Sequence, residues 1–224
     1  MKTLLKHALA LALAAFVAEG TLIASAEKPE RTGFDATVPA RDPVYDVDGN
    51  PAVAGDTPLY ADSSGFCDHL FPILLPDGHH VTLAEWTQVQ GSAMAKCVEK
   101  GTHVELTLSG LIPHGVYTIW VGVFQAPGLT PDFSNMIALG ALGLPEGSQN
   151  AFVASAAGKA ELSAFQPSDP LSVFDDQDAD NSCLLDKFEV GLFAALHVDG
   201  QTYGPVPGPD DCALAISGAF RFKR

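Results

Sequence analysis

Val104, Leu106 and Leu108 alternate with Glu105, Thr107 and Ser109. That period of two predicts a strand with one face buried and the other in water. Pro113-His114-Gly115 then turns the chain into Val116–Phe124. There Tyr117, Ile119, Val121 and Val123 fall on one face, and Val116, Trp120 and Phe124 on the other. Segment 188–198 is likewise apolar on both faces. A strand of this kind has to be covered twice. A second layer is therefore expected over Trp120, Phe124, Phe193 and His197, supplied by a loop, a neighbouring sheet, another subunit or a ligand. Further strands are expected at 151–154, 159–165 and 213–222, and 134–144 reads as either a strand or a short helix. Pro76-Asp77-Gly78 is a turn between the apolar runs 73–75 and 81–86. Short strands separated by Gly/Pro turns, without long amphipathic helices, predict an all-β fold. The expected form is an antiparallel β-sandwich, Ig-like or jelly-roll-like, with a barrel as the alternative.

The first residues change the picture. Lys2 and Lys6 precede an apolar run from Ala8 to Ala18, and Ala24-Ser25-Ala26 follows as a small-x-small cleavage pattern. The run is about half of the roughly 20 apolar residues a membrane span needs. Residues 1–26 therefore read as a signal peptide, and the protein is expected to be exported, to the periplasm or the medium, with no membrane insertion after cleavage. Residues 27–58 are rich in Pro, Asp, Gly and Ala and hold no sustained period. They read as an extended or disordered lead-in to a single β domain at 59–224.

The net charge is −15, and it becomes −16 when Lys2, Lys6 and Glu19 leave with the leader. Such a surface repels nucleic acid and anionic lipid. The four cysteines, Cys67, Cys97, Cys183 and Cys212, are even in number and bound for an oxidising compartment, so two disulfides are expected. Proximity along the chain favours Cys67–Cys97 and Cys183–Cys212. There is no C-x-x-C.

The stretch Gly110-Leu111-Ile112-Pro113-His114-Gly115-Val116-Tyr117-Thr118-Ile119-Trp120 resembles a group of uncharacterised secreted prokaryotic proteins that share a G-L-I-P-x-G-x-Y-T-x-W signature. Gly140-Ala141-Leu142-Gly143, the run from Gly147 to Phe152 and the run from His197 to Pro205 extend the resemblance over most of 80–222. It implies export, and it carries no assigned activity or site residues.

Asp175, Asp176, Asp178 and Asp180 form the densest run of hard oxygen ligands. Alternate carboxylates of this type begin a calcium loop. The match to an EF-hand breaks at Asn181 and Lys187, so a loop of another type, with Ca2+ as its cofactor, is the metal expectation. Asp46-Val47-Asp48-Gly49-Asn50 is a second such run that reads first as a turn. His103, Trp120, Phe193, His197, Asp199 and Tyr203 are the candidate ligand surface. The last three flank a Gly/Pro loop after a buried strand, where binding residues sit on rigid scaffolds. The motifs G-x-S-x-G, H-E-x-x-H and the P-loop are absent.

The expected function is therefore an exported binding or structural module with a protein or carbohydrate partner outside the cell. The alternatives are a secreted hydrolase or metal-dependent oxidoreductase built on His103, His197 and Asp199, and a subunit of a cell-surface assembly with Trp120 or Phe193 exposed on the monomer.

Overall fold

The computed structural model describes residues 28–38, 41–63, 67–143, 147–167, 183–208 and 211–223. The expected signal peptide lies outside them. The described residues form eleven strands: β1 (Glu30–Asp35), β2 (Tyr60–Ala61), β3 (Phe71–Pro72), β4 (Gln90–Val98), β5 (Gly101–Ser109), β6 (Val116–Phe124), β7 (Met136–Ala141), β8 (Ala151–Val153), β9 (Ala160–Pro167), β10 (Glu189–His197) and β11 (Leu214–Phe222). Two single-turn α-helices, α1 (Leu83–Trp86) and α2 (Leu184–Lys187), and a 3-10 turn at Asp211–Ala213 complete them.

Nine strands make one curled antiparallel sheet in the order β7-β6-β10-β11-β1-β4-β5-β9, with β8 also on β6; β2 and β3 form a small separate pair. The all-β antiparallel expectation holds, and the curl gives it the form of a half-barrel. The ambiguous segment 134–144 supplies a strand, β7. The run 81–86 supplies α1, because Thr82 and Glu85 form a capping box in which each side chain bonds the other's backbone N–H.

The lead-in is a correction. Residues 30–35 are a strand at the junction of the two halves of the sheet, so the domain begins well before residue 59. Glu30–Gly33 pair with β4, and Phe34 and Asp35 pair with β11. The sequence ERTGFD shows no period because its backbone, rather than an apolar face, holds it there. Only Phe34 enters the core, edge-on to Phe220 with ring centroids 5.4 Å apart. Gly218 makes room for it, since a Cβ at that position would stand 2.5 Å from the Phe34 ring. Further along, Asp42 is buried and its carboxylate accepts the Ile216 N–H at 2.6 Å. Tyr45 exchanges backbone hydrogen bonds with Tyr60.

The main core lies inside the curl. Ala93, Val104 and Leu106 from one half meet Ile119, Val121, Leu192 and Phe220 from the other. Tyr117 is fully buried there, stacked on Phe152, and its hydroxyl accepts the Ile112 N–H at 3.0 Å. Burial pushes the Tyr117 phenol up, far from ionisation. The open edge at β9 is tied by side-chain amides. Gln149 Oε1 accepts the Phe165 N–H, an edge group that would otherwise invite another strand, and Gln166 Oε1, from β9 itself, accepts the Gly143 N–H just after β7.

A second cluster covers the outer face of β6 and β10. Val38, Leu129 and the partly buried Phe133 pack on Trp120, Phe124 and Phe193. The twice-covered strands read from the sequence are thus covered by the chain's own connections. Glu189 pins one of them: its carboxylate accepts from Leu129 N at 3.3 Å and from Arg221 Nε and Nη2 at 2.9 and 2.6 Å.

The disulfides are the second correction. They join Cys67 to Cys212 and Cys97 to Cys183, whereas proximity along the chain favoured the opposite pairing. Cys183 precedes β10 and Cys212 precedes β11, and because those strands run antiparallel the two cysteines stand at opposite ends of the pair. The covalent links instead join elements distant in sequence that the curl brings together.

Candidate functional site

The end of β10 carries the richest polar chemistry among the described residues. His197 is fully buried on the outer face, at the last position of β10. Thr118 of β6 shares that face, and its hydroxyl lies 2.8 Å from His197 Nε2. The same hydroxyl oxygen accepts the Trp120 indole N–H at 2.9 Å. A chain of polar contacts thus runs Trp120–Thr118–His197. Threonine fits the middle position because its hydroxyl can accept one bond and donate another. Burial draws the His197 pKa down, and the nearby negative charge of Asp199 opposes that only partly, so the ring is neutral at pH 7.

The loop after β10 covers the ring. Gly200 turns it with φ of 72°, and the Tyr203 ring settles at 6.4 Å from His197. The Tyr203 hydroxyl donates to Asp199 Oδ2 at 2.5 Å, closing the loop on its own base. That hydrogen bond, ahead of burial and the Asp199 charge, raises the phenol's pKa. On the other side Asn150 is fully buried, and its amide N–H donates to Gly204 O at 3.1 Å. Two polar atoms in this region are buried and unpaired: His197 Nδ1 and Asn150 Oδ1. Unpaired buried polar atoms are costly and call for a reason.

Of the six residues of the expected ligand surface, the fold gathers His197, Asp199, Tyr203 and Trp120 at this end. Phe193 belongs to the same outer face, deeper under the loops. Trp120 and Phe193 are both buried, at 8% and 3% exposure, and neither offers the exposed face that an assembly subunit was expected to show. His103 stands apart on β5, on the polar side of the other half, where its Nε2 meets Ser163 Oγ at 3.1 Å. Thr118 and Asn150 were missed by sequence reasoning. One short polar residue inside an apolar strand was the available signal for Thr118. Asn150 gave none, since Ser-Gln-Asn reads as a turn.

The expected calcium ligands Asp175, Asp176, Asp178 and Asp180 lie outside the described residues. In the second oxygen-rich run, Asp46 Oδ1 accepts the backbone N–H groups of Asp48 and Asn50 at 2.9 and 2.8 Å. That is turn chemistry, as the sequence suggested.

One open crevice of about 440 Å³ lies where the β1–β11 ladder stops and the two halves part. Arg31, Arg221 and Lys223 face Glu30 and Asp35 there. Two side-chain and backbone bonds from Thr37 hold the Asp35 carboxyl below its usual range. Arg221 is already paired with Glu189, so the crevice carries no clear preference for one sign of charge. No helix among the described residues is long and apolar enough to cross a membrane.

No protein-family model matches the chain, and no curated protein matches it either.

Proposed function

We propose that this chain is an exported β module that binds a small hydroxyl-rich ligand, a saccharide unit, beneath the 199–208 loop. The observation that carries the reading is the pair of buried unpaired atoms, His197 Nδ1 and Asn150 Oδ1, flanking the Tyr203–Gly204 turn. A hydroxyl donates and accepts at once, so it suits an amide oxygen together with an imidazole nitrogen in either tautomer. The Tyr203 ring adds an apolar face with a polar tip. The two disulfides are compatible with export.

Binding fits this geometry better than catalysis. A hydrolase or oxidoreductase on the expected residues needs His103 beside His197 and Asp199, and the fold places His103 on the other half of the sheet. The site is closed, so a ligand enters when the Asp199–Tyr203 bond opens.

The test is calorimetric titration of the mature protein with a panel of neutral mono- and oligosaccharides, beside Tyr203→Phe and His197→Asn. Binding by the native chain is expected, tighter binding in Tyr203→Phe, whose site is no longer held closed, and loss of affinity in His197→Asn. A panel that fails to bind even Tyr203→Phe, with its latch removed, overturns the reading.

A further inference from the structure

The Cys67–Cys212 disulfide carries more than a cross-link. His69 stands beside it, with Nδ1 at 3.7 Å from Cys67 Sγ. The ligand atoms of Cys67, His69 and Cys212 all lie within 4.8 Å of one another. His69 is largely exposed, its side chain 65% accessible, so solutes reach this corner. Asp68 Oδ1 holds the imidazole from the side, at 2.7 Å from Nδ1.

The two segments that the disulfide joins also share a hydrogen bond. The Ser63 hydroxyl donates to Leu214 O at 2.5 Å, the Cys67 N–H to Asp62 O at 3.0 Å, and the Val198 N–H to Ala213 O at 2.9 Å. The first of these joins the two segments directly, the second ties Cys67 to its own segment, and the third ties the segment of Cys212 to the end of β10. Where the fold outlasts reduction, opening the disulfide leaves two thiols on segments still joined by the Ser63–Leu214 bond, with Cα atoms 5.1 Å apart in the closed form and an imidazole at their edge.

We propose that this corner is a redox-gated zinc site, formed by Cys67, Cys212 and His69 when the disulfide is reduced. In the gating step a dithiol reductant gives two electrons and two protons to the disulfide and is itself oxidised to a disulfide. The sulfur–sulfur bond breaks and two thiols form. Zinc then binds both sulfurs as thiolates, releasing their two protons to solvent, with the neutral imidazole as third ligand and water in the fourth position. Two sulfurs, one nitrogen and an open position form a known zinc arrangement, and soft thiolates select it over calcium or magnesium. The second disulfide has Asp186 as its neighbour, with Oδ1 at 3.8 Å from Cys97 Sγ. That hard oxygen is a poorer partner for the same metal.

The experiment uses the mature chain reduced with dithiothreitol, desalted without air and titrated with Co2+ as a spectroscopic stand-in for zinc. The reduced native chain is expected to show thiolate-to-cobalt charge transfer and tetrahedral d–d bands, displaced by Zn2+. The oxidised chain shows neither. Cys67→Ser with Cys212→Ser removes one equivalent. His69→Ala, an exposed change that spares the fold, weakens that equivalent by about tenfold or more, the range lost even when only an outer-shell partner is removed. Absence of cobalt binding to the reduced native chain overturns the proposal. So does binding that His69→Ala leaves unchanged, a result readable even if the double serine variant does not fold.

Discussion

Thr118 and His197 lie on adjacent strands, two residues out of register, with the threonine hydroxyl 2.8 Å from the imidazole Nε2. Thr118 is the one small polar side chain between Val116 and Phe124, and it serves both His197 and the Trp120 indole. The near-isosteric Thr118→Val keeps the volume and removes both bonds. It is expected to destabilise the fold by about 1–3 kcal/mol for each group left unpaired. Urea unfolding at pH 7 measures this, and an unchanged midpoint would show that the contact contributes nothing.

His197 also sets a pH dependence. Its pKa in the folded protein is lowered from 6.5 by burial, with the charge of Asp199 opposing. In the window between that lowered value and 6.5 the unfolded chain binds more protons at this position than the folded one. Stability therefore rises with pH there. The contribution is fully present above 6.5 and is lost as pH falls through the lower, folded value. The expected slope is positive and bounded by about 1.4 kcal/mol per pH unit, the limit for a difference of one proton. It should flatten in His197→Asn, whatever the absolute stability of that variant. Denaturant midpoints between pH 7.5 and 5 check it.

The disulfides make a sharper prediction. Digestion without reduction should yield linked peptides containing Cys67 with Cys212 and Cys97 with Cys183. Recovery of Cys67 with Cys97 would contradict the fold. The bridges span separations of 145 and 86 residues, so each restricts the unfolded chain over a long loop. Replacing either pair with serine is expected to cost about 4–5 kcal/mol on the chain-entropy estimate. Calorimetric unfolding of the two double variants gives the measurement.

Much of the strand framework was legible along the chain. The alternation from Val104 to Ser109 placed β5 with its apolar face inward, and the apolar runs at 116–124 and 188–198 marked β6 and β10 as covered on both sides. Periodicity reports such strands because each side chain's face follows from its place in the strand. It could not report β1, whose residues are mostly polar and whose pairing is made by backbone groups that every sequence possesses.

The sequence by itself determined the all-β class, the count of cysteines and the candidate status of His197, Asp199 and Tyr203. These depend on local pattern and residue chemistry. The tertiary structure alone decided which cysteines meet, that Trp120 and Phe193 are sealed under loops, that His103 stands apart, and that Thr118 and Asn150 belong with His197. Those are facts of which strands the curl brings together, and pairing between segments far apart in the chain depends on the closure of the whole sheet, which no local period encodes.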